Sequence, residues 1–295
     1  VHAAPFEYVR ASSWSDAVSA LVEGGEDARV IAGGQSLVPM MMLRLAEPSV
    51  LVDVQDAGPR TIEQADGSLF ISGLVRHADL EHSSEVRGAC PALADAARQI
   101  GNIRVRHRGT IGGSLAHAEP TAELPCAAVA LDATLTLLGP EGERELPARE
   151  FFVTHFTTEL QPGEVVTGVR FPIDGPRCGS GFAEIARRAG DFATAEAAVR
   201  VTLDADGSCS DARVVVGATA DRPLDVSESA GLVGAELTEE TAAAAGTAVA
   251  EALDIGPGAH ASADYRRQVV AVMVKRATLM AAARAASGDP EEAGR

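Results

Sequence analysis

Lysine is almost missing from this chain of 295 residues, occurring once, at Lys275. A Walker-type phosphate loop needs a lysine directly after its glycines, so that route to nucleotide binding is closed in the first half of the chain. Cysteine is sparse as well. Cys90, Cys126, Cys178 and Cys209 stand far apart with no Cys-x-x-Cys, which argues against an iron–sulfur cluster or structural zinc held by this chain. The seven histidines form no His-Glu-x-x-His and no pair at ligand spacing, so no metal site is expected. No apolar run approaches the roughly 18 residues that span a bilayer, and Val1 to Trp14, carrying Glu7 and Arg10, holds no signal-peptide core. Unpatterned cysteines suit a reducing cytoplasm, the expected location. Positive charge is also short, with Lys+Arg 25 against Asp+Glu 42 and a formal charge of −17. Such a surface repels phosphate backbones and anionic lipid, excluding nucleic acid and membrane surfaces as first partners.

What is present reads as a mixed fold. Ser13 to Asp16 caps a helix that stops at Gly24-Gly25. The apolar run Ala28 to Ile31 reads as a strand broken by Gly33-Gly34, Ser36 to Ala46 as a helix ended by Pro48, and Val50 to Val54 as a second strand. Strands at 61–64 and 68–72 turn at Asp66-Gly67. Helical patterns follow at His77 to Val86 and Pro91 to Ile100, then a glycine-rich stretch from Gly101 to Ser114, then a helix from Thr121 to Leu131. Thr134 to Leu138 and Glu164 to Phe171 read as strands. The turn cluster Asp174 to Gly181 marks the expected domain boundary. Beyond it, apolar runs at 181–186, 194–203 and 212–218 predict an antiparallel meander, and the alanine-rich remainder predicts helices, the longest from Ala263 to Ala285. Mixed elements without strict alternation predict an α+β fold. No internal repeat is visible, and the tail from Ser287 is expected to be disordered.

Two segments share one chemistry. Ala32-Gly33-Gly34-Gln35-Ser36 follows a strand and opens a helix; Thr110-Ile111-Gly112-Gly113-Ser114 repeats the pattern. Paired glycines let a backbone pass close to a bulky anion, whose oxygens N–H groups and the hydroxyls of Ser36, Thr110 or Ser114 can bind. One Gly-Gly alone is more often only a tight turn. Two, both with hydroxyls, point to a dinucleotide pyrophosphate neutralised by dipoles in a chain without lysine. Glu119 and Glu123 follow the second loop; a carboxylate there suits ribose hydroxyls or equally the first turn of a helix. His107 and His117 flank the loop, and Met40 to Met42 read as core. Gly256-Pro-Gly258-Ala-His-Ala261 has no strand before it and reads as a loop. Ser36 lacks the closing glycine of a nucleophile elbow, which disfavours a serine hydrolase. No acid–base pair declares itself and no catalytic residue is assigned, so the hard chemistry is expected from a cofactor.

In this order and spacing, Val30 to Pro39 and Gly109 to Pro120 resemble the two FAD-pyrophosphate motifs of the medium, flavin-binding subunit of molybdenum hydroxylases, the xanthine dehydrogenase family, nearest its carbon monoxide dehydrogenase branch. Phe6-Glu-Tyr8, Leu51-Val-Asp53, Ala122 to Pro125, Glu164 to Pro172, Arg187 to Ala193, and Tyr265-Arg266 leading to Val272 to Arg276 fit along nearly the whole chain. The resemblance implies a two-part N-terminal FAD-binding domain (residues 1–175, parts about 1–57 and 58–175). A smaller C-terminal domain with a three-stranded antiparallel sheet and helices (176–288) would follow, then a tail (289–295). It implies that Ala32, Gly33, Gly34, Gln35, Ser36 and Leu37, with Thr110, Ile111, Gly112, Gly113 and Ser114, hold the FAD phosphates. Glu123 would lie near the adenosine, Val166 or Thr167 against the flavin, and Asp191 and Phe192 beside the isoalloxazine. His107 and Glu119 replace a frequent asparagine and aspartate, and Phe192 replaces a frequent tyrosine, losing its hydroxyl.

It further implies an electron relay. A large molybdenum–pterin subunit would oxidise the substrate and a small subunit with two [2Fe–2S] clusters would pass electrons on. FAD on this chain would deliver them to a quinone, oxygen or NAD, in a dimer of heterotrimers. The alternatives are a self-contained FAD oxidoreductase of the same fold and a non-catalytic assembly paralogue.

Overall fold

A computed structural model describes residues 2–258 and 261–287; of the tail expected to be disordered from Ser287, Ser287 ends the last helix and residues 288–295, the 289–295 tail among them, lie outside the described residues. The chain opens with β1 (Glu7–Arg10), α1 (Trp14–Gly24), β2 (Ala28–Ile31), α2 (Leu37–Met42) and β3 (Val50–Asp53). Ser13 caps α1 by accepting from the Asp16 N–H at 3.0 Å, and Gly25, at φ 66°, ends it. The strands pair in parallel in the order β1-β3-β2, with α1 and α2 as crossovers. The strand–glycine turn–helix–strand reading is correct, but α2 is shorter than expected: the chain turns at Arg44, φ 60°, before Pro48. β1 was not foreseen, since its four residues carry little apolar signal.

The second sheet holds β4 (Ile62–Ala65), β5 (Ser68–Ser72), β6 (Thr134–Gly139) and β7 (Gly142–Pro147). After the ribbon β8 (Phe152–Thr154) and β9 (Thr157–Thr158), β10 (Val165–Pro172) completes it in the order β4-β5-β10-β6-β7. Asp66 and Gly67 both adopt positive φ, the turn their dipeptide predicted. β7 escaped notice because Glu143, Arg144 and Glu145 make it a charged, exposed edge. Between β5 and β6 lie α3 (His77–His82), α4 (Ser84–Ala89), α5 (Pro91–Gln99), α6 (Ile103–Arg106), α7 (Ile111–His117) and α8 (Glu123–Ala130). The helix expected from His77 to Val86 breaks at Ser83, which caps the next one through the Val86 N–H. The expected glycine-rich stretch contains two helices, so the second glycine pair lies inside α7. The helix expected from Thr121 begins at Glu123 because the Glu119 carboxylate holds the Thr121 N–H and hydroxyl in a turn.

The short α9 (Ala148–Phe151) joins β7 to β8; after β10, the C-terminal domain is built of β11 (Cys178–Ala186), β12 (Ala193–Leu203), β13 (Cys209–Gly217) and β14 (Leu224–Asp225), then α10 (Ser227–Ala230), α11 (Glu239–Ala252) and α12 (Ala263–Ser287). The meander is present, but β14 adds a two-residue fourth strand to the expected three. Both faces of this sheet are covered. Phe182, Ala198 and Val215 join the core built by α5, α7, α8, β5 and β10, while Ala197, Val199 and Val214 pack with α11 and α12. Burial on both faces explains why β12 reads as a continuous apolar run.

The contact between α12 and β11 is made through glycine. A Cβ at Gly179 would stand 2.3 Å from the Ala281 carbonyl oxygen, and one at Gly181 2.7 Å from that of Ala277. The Arg284 guanidinium, buried on the same helix, donates to Asp95 and to the Ser180 carbonyl at 2.7 Å and so ties α12 to α5. Gly179→Val is therefore expected to lower the urea midpoint by the equivalent of about 3 kcal/mol, the upper range for overpacking. An unchanged midpoint would show that α12 does not seat on β11.

Candidate cofactor site

A cleft of about 980 Å³ runs between the two glycine loops and on to the C-terminal domain, the upper end of the roughly 300–1,000 Å³ range of ligand pockets. Its walls are brought together by close backbone packing. A Cβ at Gly33 would stand 2.2 Å from the Arg108 carbonyl oxygen and 2.7 Å from the Gly109 Cα, so the first loop lies directly on the start of the second. A Cβ at Gly109 would strike the His77 ring at 2.6 Å, and one at Gly112 the Gly73 carbonyl oxygen at 2.8 Å. The Arg76 guanidinium donates to the same Arg108 carbonyl and to Gln55.

The two loops offer different chemistry. In the first, the N–H groups of Gly33, Gly34, Gln35 and Ser36 make no hydrogen bond among the described residues, and the Ser36 hydroxyl caps nothing. These are free donors, with Gly34 at φ 69° turning the chain between them. In the second, the Ile111 N–H bonds the Val75 carbonyl at 3.0 Å and the Gly112 N–H the Gly73 carbonyl at 3.0 Å. The Gly113 N–H bonds the Thr110 hydroxyl at 3.1 Å. Its amides are spent on holding it in place, contrary to the expectation that both loops present N–H groups. What it offers instead is the bare, exposed face of Gly113 and the hydroxyl of Ser114. This donor set and the missing side chain at Gly113 fit a pyrophosphate.

Every expected site residue except Ile111 lines the cleft. The Ile111 side chain is fully buried in the core beside Leu115; adjacency in a motif carries no information about which way its side chain points. Val166 reaches the cleft, whereas the hydroxyl of Thr167 is bound to the Thr136 carbonyl at 3.2 Å. Asp191 pairs with Arg187 at 3.6 Å, and Phe192 stands 74% exposed at the mouth. Gly190, φ 82°, rests on the Gly101 carbonyl and anchors that turn. Glu123 is buried in the wall, and burial raises its carboxyl to about 7, so near neutrality it exists as donor and acceptor alike. Burial pushes His77 down to about 4, leaving a neutral ring.

Sequence reasoning missed several lining residues. Arg29, Gly73 and Leu74 carry no motif. Gly258 and Ala261, in the segment read as a plain loop, reach the cleft from the C-terminal domain together with Arg266, whose guanidinium is spent on the Gly256 and Ala218 carbonyls.

Fold and cleft together define a dinucleotide-type cofactor carrier. Residues 4–174 match the family described as the FAD binding domain in molybdopterin dehydrogenase. Residues 180–281 match the CO dehydrogenase flavoprotein C-terminal domain. The chain is 43% identical to 6-hydroxypseudooxynicotine dehydrogenase complex subunit alpha of Paenarthrobacter nicotinovorans, covering 95% of each. It is 35% identical to the carbon monoxide dehydrogenase medium chain of Afipia carboxidovorans, over 95% of this chain and 98% of that one. Among solved structures it resembles carbon monoxide dehydrogenase from Hydrogenophaga pseudoflava lacking the Mo-pyranopterin moiety, with TM-score 0.90, 35% identity, and 97% and 99% of the two chains covered. Quinoline 2-oxidoreductase from Pseudomonas putida 86 gives TM-score 0.90 at 34% identity, over 97% of this chain and 99% of that one. The chain belongs to the FAD-binding medium subunits of molybdenum hydroxylases, the xanthine dehydrogenase family, and is an oxidoreductase subunit.

The glycines separate into two kinds, which gives a direct test on the chain without added ligand. Gly33→Ala is expected to cost about 1–3 kcal/mol in chemical denaturation, because backbone must move. Gly113→Ala is expected to change stability by less than about 1 kcal/mol, since its Cβ meets only the Thr110 hydroxyl at 2.9 Å and alanine favours the helix. Equal losses would refute the division.

Proposed function

We propose that this chain holds one non-covalent FAD in the cleft and acts as the electron-transfer subunit of a molybdenum hydroxylase complex. It takes electrons from iron–sulfur clusters of a partner and passes them to an external acceptor such as a quinone, oxygen or NAD. The observation that carries this reading is the contact of the two glycine loops in one cleft, one loop offering unpartnered amides and the other an open glycine face. Ala32, Gly33, Gly34, Gln35, Ser36 and Leu37 face the pyrophosphate with Thr110, Gly112, Gly113 and Ser114. Glu123 bonds toward the adenosine, Val166 packs on the flavin, and Asp191 and Phe192 flank its outer edge. Bound FAD would join carriers that hand over single electrons to acceptors that take two. The chain's own share is to bind, orient and shield it, and no side chain is assigned a bond-breaking step.

The partners in this reading are a large molybdopterin subunit and a small [2Fe–2S] subunit, arranged as a dimer of heterotrimers in the cytoplasm. Support comes from relatives named as a dehydrogenase complex subunit and as a medium chain, and from the match to a domain of molybdopterin dehydrogenases. All four cysteines are free, and among the described residues no His/Cys/Asp/Glu group can hold a metal and no helix is long and apolar enough to cross a membrane. We place the domain boundary in the turn between β10 and β11, giving parts 1–175 (about 1–57 and 58–175) and 176–288. An apolar patch also needs a partner: Val38, Met42, Leu43 and Leu45 lie exposed on and after α2, Leu43 at 69% and Leu45 at 70%.

The purified chain is expected to be yellow and to release about one FAD per chain on acid treatment. Gly113→Val should raise the FAD dissociation constant by at least about tenfold, roughly 1.4 kcal/mol, with far-UV dichroism unchanged; full affinity would remove this loop from the site. Leu43→Glu with Leu45→Glu should abolish co-purification with the co-expressed large and small subunits. Val233→Glu, at an apolar residue 63% exposed on the C-terminal domain, should leave it intact. Assembly unaffected by the double change would exclude the α2 patch as a docking face.

A further inference from the structure

Behind Glu123 the cleft wall continues into a group of carboxyls that no ion pair reaches among the described residues. Glu184 and Glu196 stand directly opposite each other on β11 and β12, on the face of the sheet turned toward α8. Glu196 is 0% exposed, and neither of its carboxyl oxygens has a hydrogen-bond partner; Oε2 of Glu184 is also unpartnered. Room for Glu196 is made by Gly217, its neighbour on β13, where a Cβ would stand 2.0 Å from Oε1. Like charges opposite one another on adjacent strands repel, and an unpaired buried carboxylate is costly. The arrangement is stable only while protons neutralise it.

Among the described residues, α5, packed against β11, adds no free charge at this group: Asp95 is held by Arg284 and Arg98 lies exposed. From α8 come Glu123 and Cys126, whose thiol is kept neutral by burial and donates to the Val215 carbonyl at 3.6 Å. At Gly217 and Val215, β13 offers no ionisable group. Several cations of this region are held elsewhere: Arg187 by Asp191, Arg266 by the Ala218 and Gly256 carbonyls, Arg200 by Asp174, Arg213 by Asp132 and Asp225. Among the described residues, no ion pair reaches Glu123, Glu184 or Glu196.

We propose that Glu123, Glu184 and Glu196 form one proton-holding site at the seam between the FAD-binding and C-terminal domains, and that loss of its protons to solvent loosens both the seam and the grip on the cofactor. The second consequence rests on the cofactor reading above; the first does not. Burial raises all three carboxyls, Glu123 to about 7, Glu184 to about 8 with help from Glu123, and Glu196 well above its ordinary value. The folded chain then binds more protons than the unfolded one. The stabilisation is complete below the ordinary glutamate range and is lost as pH rises through about 7 to 8.

The test follows FAD affinity by fluorescence and thermal midpoint by calorimetry on the full chain, with and without FAD, from about pH 6 to 9. The wild type is expected to lose midpoint throughout. Its FAD dissociation constant should rise by up to about tenfold per pH unit for each linked proton. Glu196→Gln and Glu184→Gln, which keep shape and remove the charge, should flatten both profiles. Infrared spectroscopy of the wild type should show a protonated-carboxyl C=O band persisting at neutral pH, a readout that needs no variant. A pH-independent wild type, glutamine variants with unchanged slopes, or absence of that band would each overturn the proposal. A chain that takes up no FAD at any pH would sink the cofactor reading, while the midpoints without FAD still decide the proton site.

Discussion

The contact between Gly33 and the backbone of Arg108 and Gly109 is the constraint on which the rest depends. One loop ends a strand of a small parallel sheet; the other opens a helix packed on a separate antiparallel sheet. Only where two backbones touch without an intervening Cβ do they form the two sides of one cleft. Gly73 beneath Gly112 and Gly109 beside His77 extend the same device, so the second loop is fixed by packing before any ligand arrives. A site built on such rigid contacts is pre-organised, which lowers the ordering cost of binding.

Pre-organisation also divides the work between the loops. Amides bonded to protein carbonyls cannot also bind an anion, so in the second loop, at Ile111, Gly112 and Gly113, geometry is gained at the expense of donors. The first loop keeps its donors free. The division suits a chain with one lysine, at Lys275, and a charge of −17. Negative charge on a bound pyrophosphate would be met by aligned N–H dipoles and hydroxyls, not by ammonium groups that would have to be held in an acidic surround.

The C-terminal sheet is a wall with two neighbours. On one side α12 seats on Gly179 and Gly181; on the other, Phe182, Ala198 and Val215 complete the core of the FAD-binding domain. Its strands are consequently buried on both faces, and polar groups placed there become functional liabilities or devices. Glu196, set over Gly217 and facing Glu184, is the clearest case, because among the described residues neither of its carboxyl oxygens has a hydrogen-bond partner.

The sequence by itself determined the strand–glycine–helix unit, the Asp66-Gly67 turn, the meander and the long alanine-rich helix, because each rests on local periodicity or turn chemistry. It also determined which residues make the two loops, and with them the family. It was silent on edge strands such as β7, whose charged residues carry no alternating apolar signal. It extended α2 through residues that instead turn at Arg44, and it counted Ile111 as a ligand although its side chain belongs to the core. Only the tertiary structure decided which glycines leave an open face in the cleft and which press on a carbonyl, and that Arg266 and Gly258 line the cleft from the other domain. It alone brought Glu123 together with Glu184 and Glu196. These are contacts between distant segments, set by how sheets and helices pack, and local sequence pattern carries no term for them.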